Sequence, residues 1–96
     1  MREKQVELAL IKKIKSCGGI AIKFVAPGMS GVPDRLVLYP GGRIFFVELK
    51  APGKKATPRQ LKVQEQLRGF GFEVFLLDSR EAVDEFVNGV KSNGTT

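Results

Sequence analysis

Apolar residues recur at Val6, Ala9, Leu10, Ile14 and Cys17. Spacings of three and four put them on one face of a helix over residues 3–17. Lys12, Lys13 and Lys15 fall late in it, where cations suit the helix dipole, and Gly18-Gly19 stops it. Ile20 to Val25 is a β-branched and aromatic run, which predicts a strand. Pro27-Gly28-Met29-Ser30-Gly31 has no periodicity and reads as a loop. Beyond Pro33 and Asp34, Arg35 to Tyr39 predicts a second strand and Arg43 to Lys50 a third. The short Pro40-Gly41-Gly42 turn makes these two an antiparallel hairpin. Ile44-Phe45-Phe46-Val47 is continuously apolar, the mark of a strand covered on both faces.

Ala51 to Ala56 is a loop with a proline, a glycine and two lysines. Thr57, Pro58 and Gln60 form a capping-box pattern that opens a helix running to about Arg68. Leu61, Gln64/Glu65 and Leu67 mark its turns, and Gly69 ends it. Phe72 to Leu77 predicts a fourth strand. A helix separates it from the third, so the two are expected to be parallel through a right-handed crossover. Ser79 caps a last helix to about Val90, with Ala82, Val83, Phe86, Val87 and Val90 as its apolar face. Phe45, Phe46, Phe72 and Phe75 are expected in the core, and Cys17 as a small buried hydrophobe. The expected fold is α/β: a small mixed sheet flanked by helices, in the order α-β-β-β-α-β-α. One domain covers residues 1–91, with a flexible tail at 92–96.

Composition narrows the chemistry. At 96 residues the chain holds one modest core, and 43% apolar with 27% charged residues excludes intrinsic disorder. There is no histidine, which excludes His-ligated zinc, Ser-His-Asp triads and Cys-His pairs. The single Cys17 excludes an internal disulfide and any multi-cysteine metal site. No apolar run approaches the ~20 residues that span a bilayer. The charged N-terminus lacks the apolar segment of a signal peptide. These features predict a reducing, cytoplasmic setting without membrane contact.

The net charge of +6 is unevenly placed. Residues 1–72 hold fourteen basic and five acidic side chains, a net of +9; residues 73–96 hold two and five, a net of −3. From Lys50 through Lys62 there are five cations and no acid. Such a field draws a polyanion, most simply nucleic acid. Charge alone fits a basic module that binds nucleic acid without cutting it, and equally a solvated surface.

Hairpin register adds chemistry. With a three-residue loop, Tyr39 pairs with Arg43 and Asp34 lies opposite Glu48; a two-residue loop leaves the acids diagonal. Either way two carboxylates meet at the open end of an apolar hairpin, and Lys50 projects from the same face as Glu48. Paired carboxylates resist joint ionisation unless a positive charge sits between them. A divalent cation fits, and with few protein oxygens Mg²⁺ or Mn²⁺ suits best, with the Leu49 carbonyl as a further hard-oxygen candidate. Lys50 is placed to position the attacking water and to neutralise charge on a phosphodiester. A structural Glu48–Lys50 ion pair is the plain alternative.

Gly31-Val32-Pro33-Asp34, Val47-Glu48-Leu49-Lys50 and Thr57-Pro58-Arg59-Gln60 together resemble the PD-(D/E)XK nucleases. More narrowly they resemble the VRR-NUC (virus-type replication-repair nuclease) domain in its short stand-alone phage and bacterial form. The likeness runs from Glu3 to about Phe86. It implies a restriction-endonuclease-like core and a metal-dependent endonuclease acting on DNA. By this likeness Asp34, Glu48 and the Leu49 carbonyl hold the metal, Lys50 is the catalytic lysine, and Gln60 orients water or substrate. A glutamate on the first helix joins the site in the family; Glu3 and Glu7 both compete for that place. Lys23, Arg35, Lys54, Lys55 and Arg59 are the candidate DNA contacts, and the helix start near Thr57 adds backbone donors for a phosphate. Without a DNA-reading domain, recognition of DNA shape is expected over recognition of base sequence. The resemblance to Holliday-junction resolvases suggests branched DNA and a homodimer.

Overall fold

The computed structural model describes residues 1–93. Its elements follow in the expected order: α1 (Glu3–Ser16), β1 (Ile20–Lys23), β2 (Arg35–Tyr39), β3 (Arg43–Leu49), α2 (Pro58–Gly69), β4 (Glu73–Leu77) and α3 (Arg80–Asn93). The four strands form one sheet in the order β1-β2-β3-β4. β1, β2 and β3 are antiparallel neighbours, and β4 joins β3 in parallel. Tyr39 pairs with Arg43, so the hairpin has the three-residue loop. The register carried one step past Arg35↔Val47 places Asp34 opposite Glu48.

Strand alternation divides the sheet into two chemically different faces. Ala21, Val37, Phe45, Val47, Leu49 and Leu77 point to one face. α1 covers it with Val6, Ala9, Leu10 and Ile14, and α3 with Val83, Phe86, Val87 and Val90. Phe86 packs edge-on to Phe45 at 5.7 Å and on Phe75 at 4.8 Å between ring centroids. Arg43 ties this layer together: its guanidinium donates to the Val90 carbonyl at 2.6 Å and lies over the Phe45 ring. A Lys13–Asp84 ion pair joins α1 to α3.

The other face is only partly covered. α2 lies against β4 and buries Val63 and Gln64. Phe46 packs between Phe24, tilted to it at 5.7 Å, and Phe72, edge-on at 5.4 Å between ring centroids. Towards β1 the face is open, and Ile20, Ile22 and Ile44 are 53%, 37% and 42% exposed.

Several expectations change in detail: Cys17 is only partly buried, and β3 ends at Leu49. β1 stops at Lys23; Phe24 keeps one backbone hydrogen bond, to the Asp34 carbonyl, and the chain then turns into the loop. Leu61 is exposed and Val63 takes the buried place on α2, because the helix faces the sheet through the Val63–Gln64 side. Phe72 is 41% exposed, since it lies just before β4 and covers Phe46 from outside. α3 runs on to Asn93, so Ser92 and Asn93 belong to the helix; the remainder of the expected tail, 94–96, lies outside the described residues.

Candidate active site

The site lies at the open end of the β2–β3 hairpin, on the α2 face of the sheet. Glu48 is its centre. It is only 2% exposed, held in place by the central position of β3. Burial first, then the charge and the side-chain hydrogen bond of the neighbouring Asp34, raise its carboxyl against the opposing pull of Lys50, with a net rise from 4.5 to about 7. Glu48 Oε2 accepts from Gln60 Nε2 at 3.1 Å and stands 3.7 Å from Lys50 Nζ. Glu48 Oε1 is buried without a hydrogen-bond partner. Asp34 is half-buried, and its Oδ2 accepts from the Leu49 backbone N–H at 2.9 Å.

Gln60 reaches Glu48 because of how α2 begins. Thr57 Oγ1 accepts from Gln60 N at 3.1 Å, and Gln60 Oε1 accepts from Thr57 N at 2.9 Å. This reciprocal cap fixes the amide oxygen on the helix terminus and turns the NH₂ group to Glu48. One side chain therefore ends the basic loop, starts the helix and holds the central acid.

The loop from Phe24 to Asp34 closes the other side. Pro33 is fully buried. Gly31, at φ +82°, lies so close to α2 that a Cβ there would sit 2.8 Å from Arg59 Cγ. Arg59 Nε donates to Ser30 Oγ at 3.1 Å. Gly-x-Pro-Asp thus serves packing as well as chemistry: it brings the loop against the start of α2 and sets Asp34 beside Glu48.

The two competing glutamates separate in space. Glu7 is engaged with Lys4 at 2.9 Å and with Arg35 at 3.0 Å, and the Lys4 and Arg35 hydrogen bonds hold its carboxyl below the usual range. Glu3 is exposed, and its negative charge adds to the upward push on Glu48. Of the two, Glu3 is the one that faces the site electrostatically.

Arg35 differs from a surface phosphate contact. Its side chain is 14% exposed, it donates to the Ala21 carbonyl at 3.2 Å as well as to Glu7, and it struts α1 against β2. Register explains this: Arg35 pairs with Val47 and so points to the α1 face, opposite to Asp34. Lys23, Lys54, Lys55 and Arg59 are exposed. The Arg35–Glu7 strut, the Ser30–Arg59 contact and the depth of Glu48 were not foreseen. A signal for the strut exists in the alternation of β2, which places Arg35 and Asp34 on opposite faces.

The donor set is hard oxygen. Among the described residues no three His, Cys, Asp or Glu side chains gather as a ready-made cage. The orphaned Glu48 Oε1 beside Asp34 nevertheless asks for a positive partner that Lys50, at 3.7 Å from the other oxygen, does not supply. These residues fit a small divalent cation that keeps most of its waters.

No protein-family model matches the chain. Individual relatives do. A solved structure described as a VRR_NUC domain superposes with a TM-score of 0.85 at 36% identity, over 90% of this chain and 94% of that one. A curated protein of Acyrthosiphon pisum secondary endosymbiont phage 1, named "Putative nuclease p44", is 51% identical over 81 residues, 84% of this chain and 87% of its own length. The chain belongs to the VRR_NUC domain family. Among the described residues no helix is long and apolar enough to cross a membrane.

Proposed function

We propose that this protein is a metal-dependent endonuclease that hydrolyses phosphodiester bonds in branched DNA, in the bacterial or phage-infected cytoplasm. The observation that carries the reading is Glu48: a carboxylate 2% exposed, with one oxygen orphaned, beside Asp34, Lys50 and Gln60. A buried acid held this way is costly unless a charged ligand completes it.

Asp34, Glu48 and the Leu49 carbonyl would hold Mg²⁺ or Mn²⁺, with Glu3 as the reserve carboxylate. Such a cation supplies positive charge to the phosphate in the transition state and makes water more acidic. Lys50 orients the attacking water in line with the scissile bond and neutralises charge on the phosphodiester oxygens. Gln60 keeps Glu48 from rotating away. Lys54, Lys55 and Arg59 draw and position the DNA backbone, whereas Arg35 acts as a strut that keeps α1 in place, and Lys23, its partner in register, projects from that same α1 face and not from the face of Asp34 and Glu48.

The working unit in this reading is a homodimer. The open sheet face of Ile20, Ile22, Leu36, Leu38 and Ile44 carries no charge and suits a second copy of itself across a two-fold axis. Glu48 lies four residues along β3 from Ile44, about 13 Å at ~3.3 Å per residue, so both sites stand near the dimer seam.

The test uses four-way, flapped and linear DNA with Mg²⁺, with Mn²⁺ and with chelator, alongside Glu48→Ala and Lys50→Ala. Metal-dependent cutting that both substitutions abolish is the expected result. Tight binding without cutting in any condition would instead establish a non-cleaving nucleic-acid module.

A further inference from the structure

Residues 24–33, between β1 and Asp34, carry no charge. They run beside a site whose other exposed groups include Lys54, Lys55 and Arg59. The loop therefore adds no side-chain charge to that field, and its exposed side chains have to be read by their apolar chemistry.

The loop is held firmly. Phe24 N donates to the Asp34 carbonyl at 2.8 Å and closes its base. The Phe24 ring packs on Phe46. Ser30 and Gly31 lock against Arg59, the residue before Gln60, which bonds Glu48. At the tip, Met29 N donates to the Ala26 carbonyl at 3.1 Å, and Gly28 adopts φ +84°. Proline followed by a positive-φ glycine makes this a type II turn. Its two flanks present apolar side chains to solvent: Val25 is 66% and Met29 42% exposed.

Single exposed apolar residues are ordinary on protein surfaces. Two of them on an uncharged, four-point-anchored loop next to a cationic site are not. A fixed loop loses little freedom on binding, so its apolar contacts convert efficiently into affinity. Beyond the thymine methyls and sugar edges that any duplex exposes, the largest apolar surface that DNA offers is on the faces of its bases. Stacking hides those faces in a duplex, and a branch or an unpaired step opens them.

We propose that Val25 and Met29 form an apolar wedge that packs on bases exposed at a branched or unpaired step beside the scissile phosphate. The inference rests on the reading that this site binds DNA, and it names what would give that site its preference for branched substrate.

Binding in chelator and in Ca²⁺ tests it apart from cleavage. The probes are a four-way junction and a linear duplex of equal length, each with 2-aminopurine at the matching central position, titrated over a salt series. Val25→Ser/Met29→Ser is expected to bind the junction about tenfold more weakly and the duplex as before, the loss of two modest apolar contacts. The fluorescence rise at the branch disappears. The salt slope does not change, because no phosphate contact is lost, and Met29→Leu keeps the junction preference. Lys54→Ala/Lys55→Ala behaves oppositely, lowering the slope by about 1.8 on duplex. A double serine variant that keeps the parent's junction-to-duplex ratio and its fluorescence rise overturns the wedge while leaving the DNA reading intact. A parent protein that binds neither DNA overturns both.

Discussion

The buried Glu48 makes metal-free stability depend on pH in an unusual direction. In the unfolded chain its carboxyl ionises near 4.5; in the folded protein it keeps its proton to about 7. Between those values the native state binds more protons than the unfolded state, so stability falls as pH rises. The contribution is intact below pH 4.5 and lost above pH 7. At about 1.4 kcal/mol per pH unit, the difference from 4.5 to about 7 corresponds to about 3 kcal/mol. That is a large share of the 5–15 kcal/mol typical of a small domain.

Glu48→Gln removes the charge and keeps the shape and an oxygen that can accept from Gln60. In chelator at pH 8 the variant is expected to be more stable than the parent by about 3 kcal/mol. At roughly 5 °C per kcal/mol for a chain of this size, the melting temperature rises by about 15 °C. At pH 4 the two proteins melt together. Urea and thermal unfolding followed by circular dichroism from pH 4 to 8.5 read both quantities. Taking the difference between the two curves cancels groups common to both, including Glu7, whose lowered carboxyl works in the opposite sense. Equal melting temperatures at pH 8, or a constant gap across the whole range, would refute the reasoning. Mg²⁺ or Mn²⁺ is expected to raise the parent's melting temperature at pH 8 and leave that of Glu48→Gln nearly unchanged.

Other substitutions probe the supports of the site. Gly31→Ala puts a Cβ at φ +82° and 2.8 Å from Arg59 Cγ, so a loss of about 1–3 kcal/mol is expected in urea unfolding; an unchanged midpoint would mean that the loop does not press on α2. Arg35→Met leaves Glu7 with Lys4 alone and is expected to cost about 1–3 kcal/mol near neutrality. Because the pairing lowers the Glu7 carboxyl, that gap shrinks as pH falls below 4.5 through the lowered value, and a gap that widened in acid would contradict the strut. Ile44→Lys places a charge in the open sheet face and is expected to convert a dimer to a monomer in sedimentation velocity, with the fold intact by circular dichroism; a parent that already sediments as a monomer removes that interface.

Much of this molecule is readable from local chemistry. The three-residue turn at Pro40-Gly41-Gly42 sets the hairpin register, and that register places Asp34 beside Glu48. The Thr57–Gln60 cap is legible because both partners lie within one helical turn. What the linear chain hides is direction and depth over long range. Leu61 looks like a core residue by type, yet the side of α2 that meets the sheet depends on where β4 docks, and Val63 wins that place. Glu3 and Glu7 share a helix face, and only the arrival of Arg35 from β2 divides their roles. Arg35 itself looks like a phosphate contact until the alternation of β2 turns it towards α1.

The same division explains how a histidine-free chain builds the site proposed above. Without an imidazole, the protein needs another way to keep charge poised near neutral pH. It reaches that state by burying a carboxylate on the central strand and setting Asp34 beside it, with a smaller push from the charge of exposed Glu3, while Lys50 stands 3.7 Å from its other oxygen. The remaining parts serve to keep that arrangement from relaxing. Gln60 is anchored by the helix cap, the Gly31 loop is pressed on Arg59, and α1 is held down through Glu7 and Arg35. Each anchor is neutral or internally paired, so none of them supplies the missing positive charge. In the nuclease proposed above, the cost of the unsatisfied acid would favour a cation and a phosphodiester, and the stabilisation expected of Glu48→Gln measures that cost.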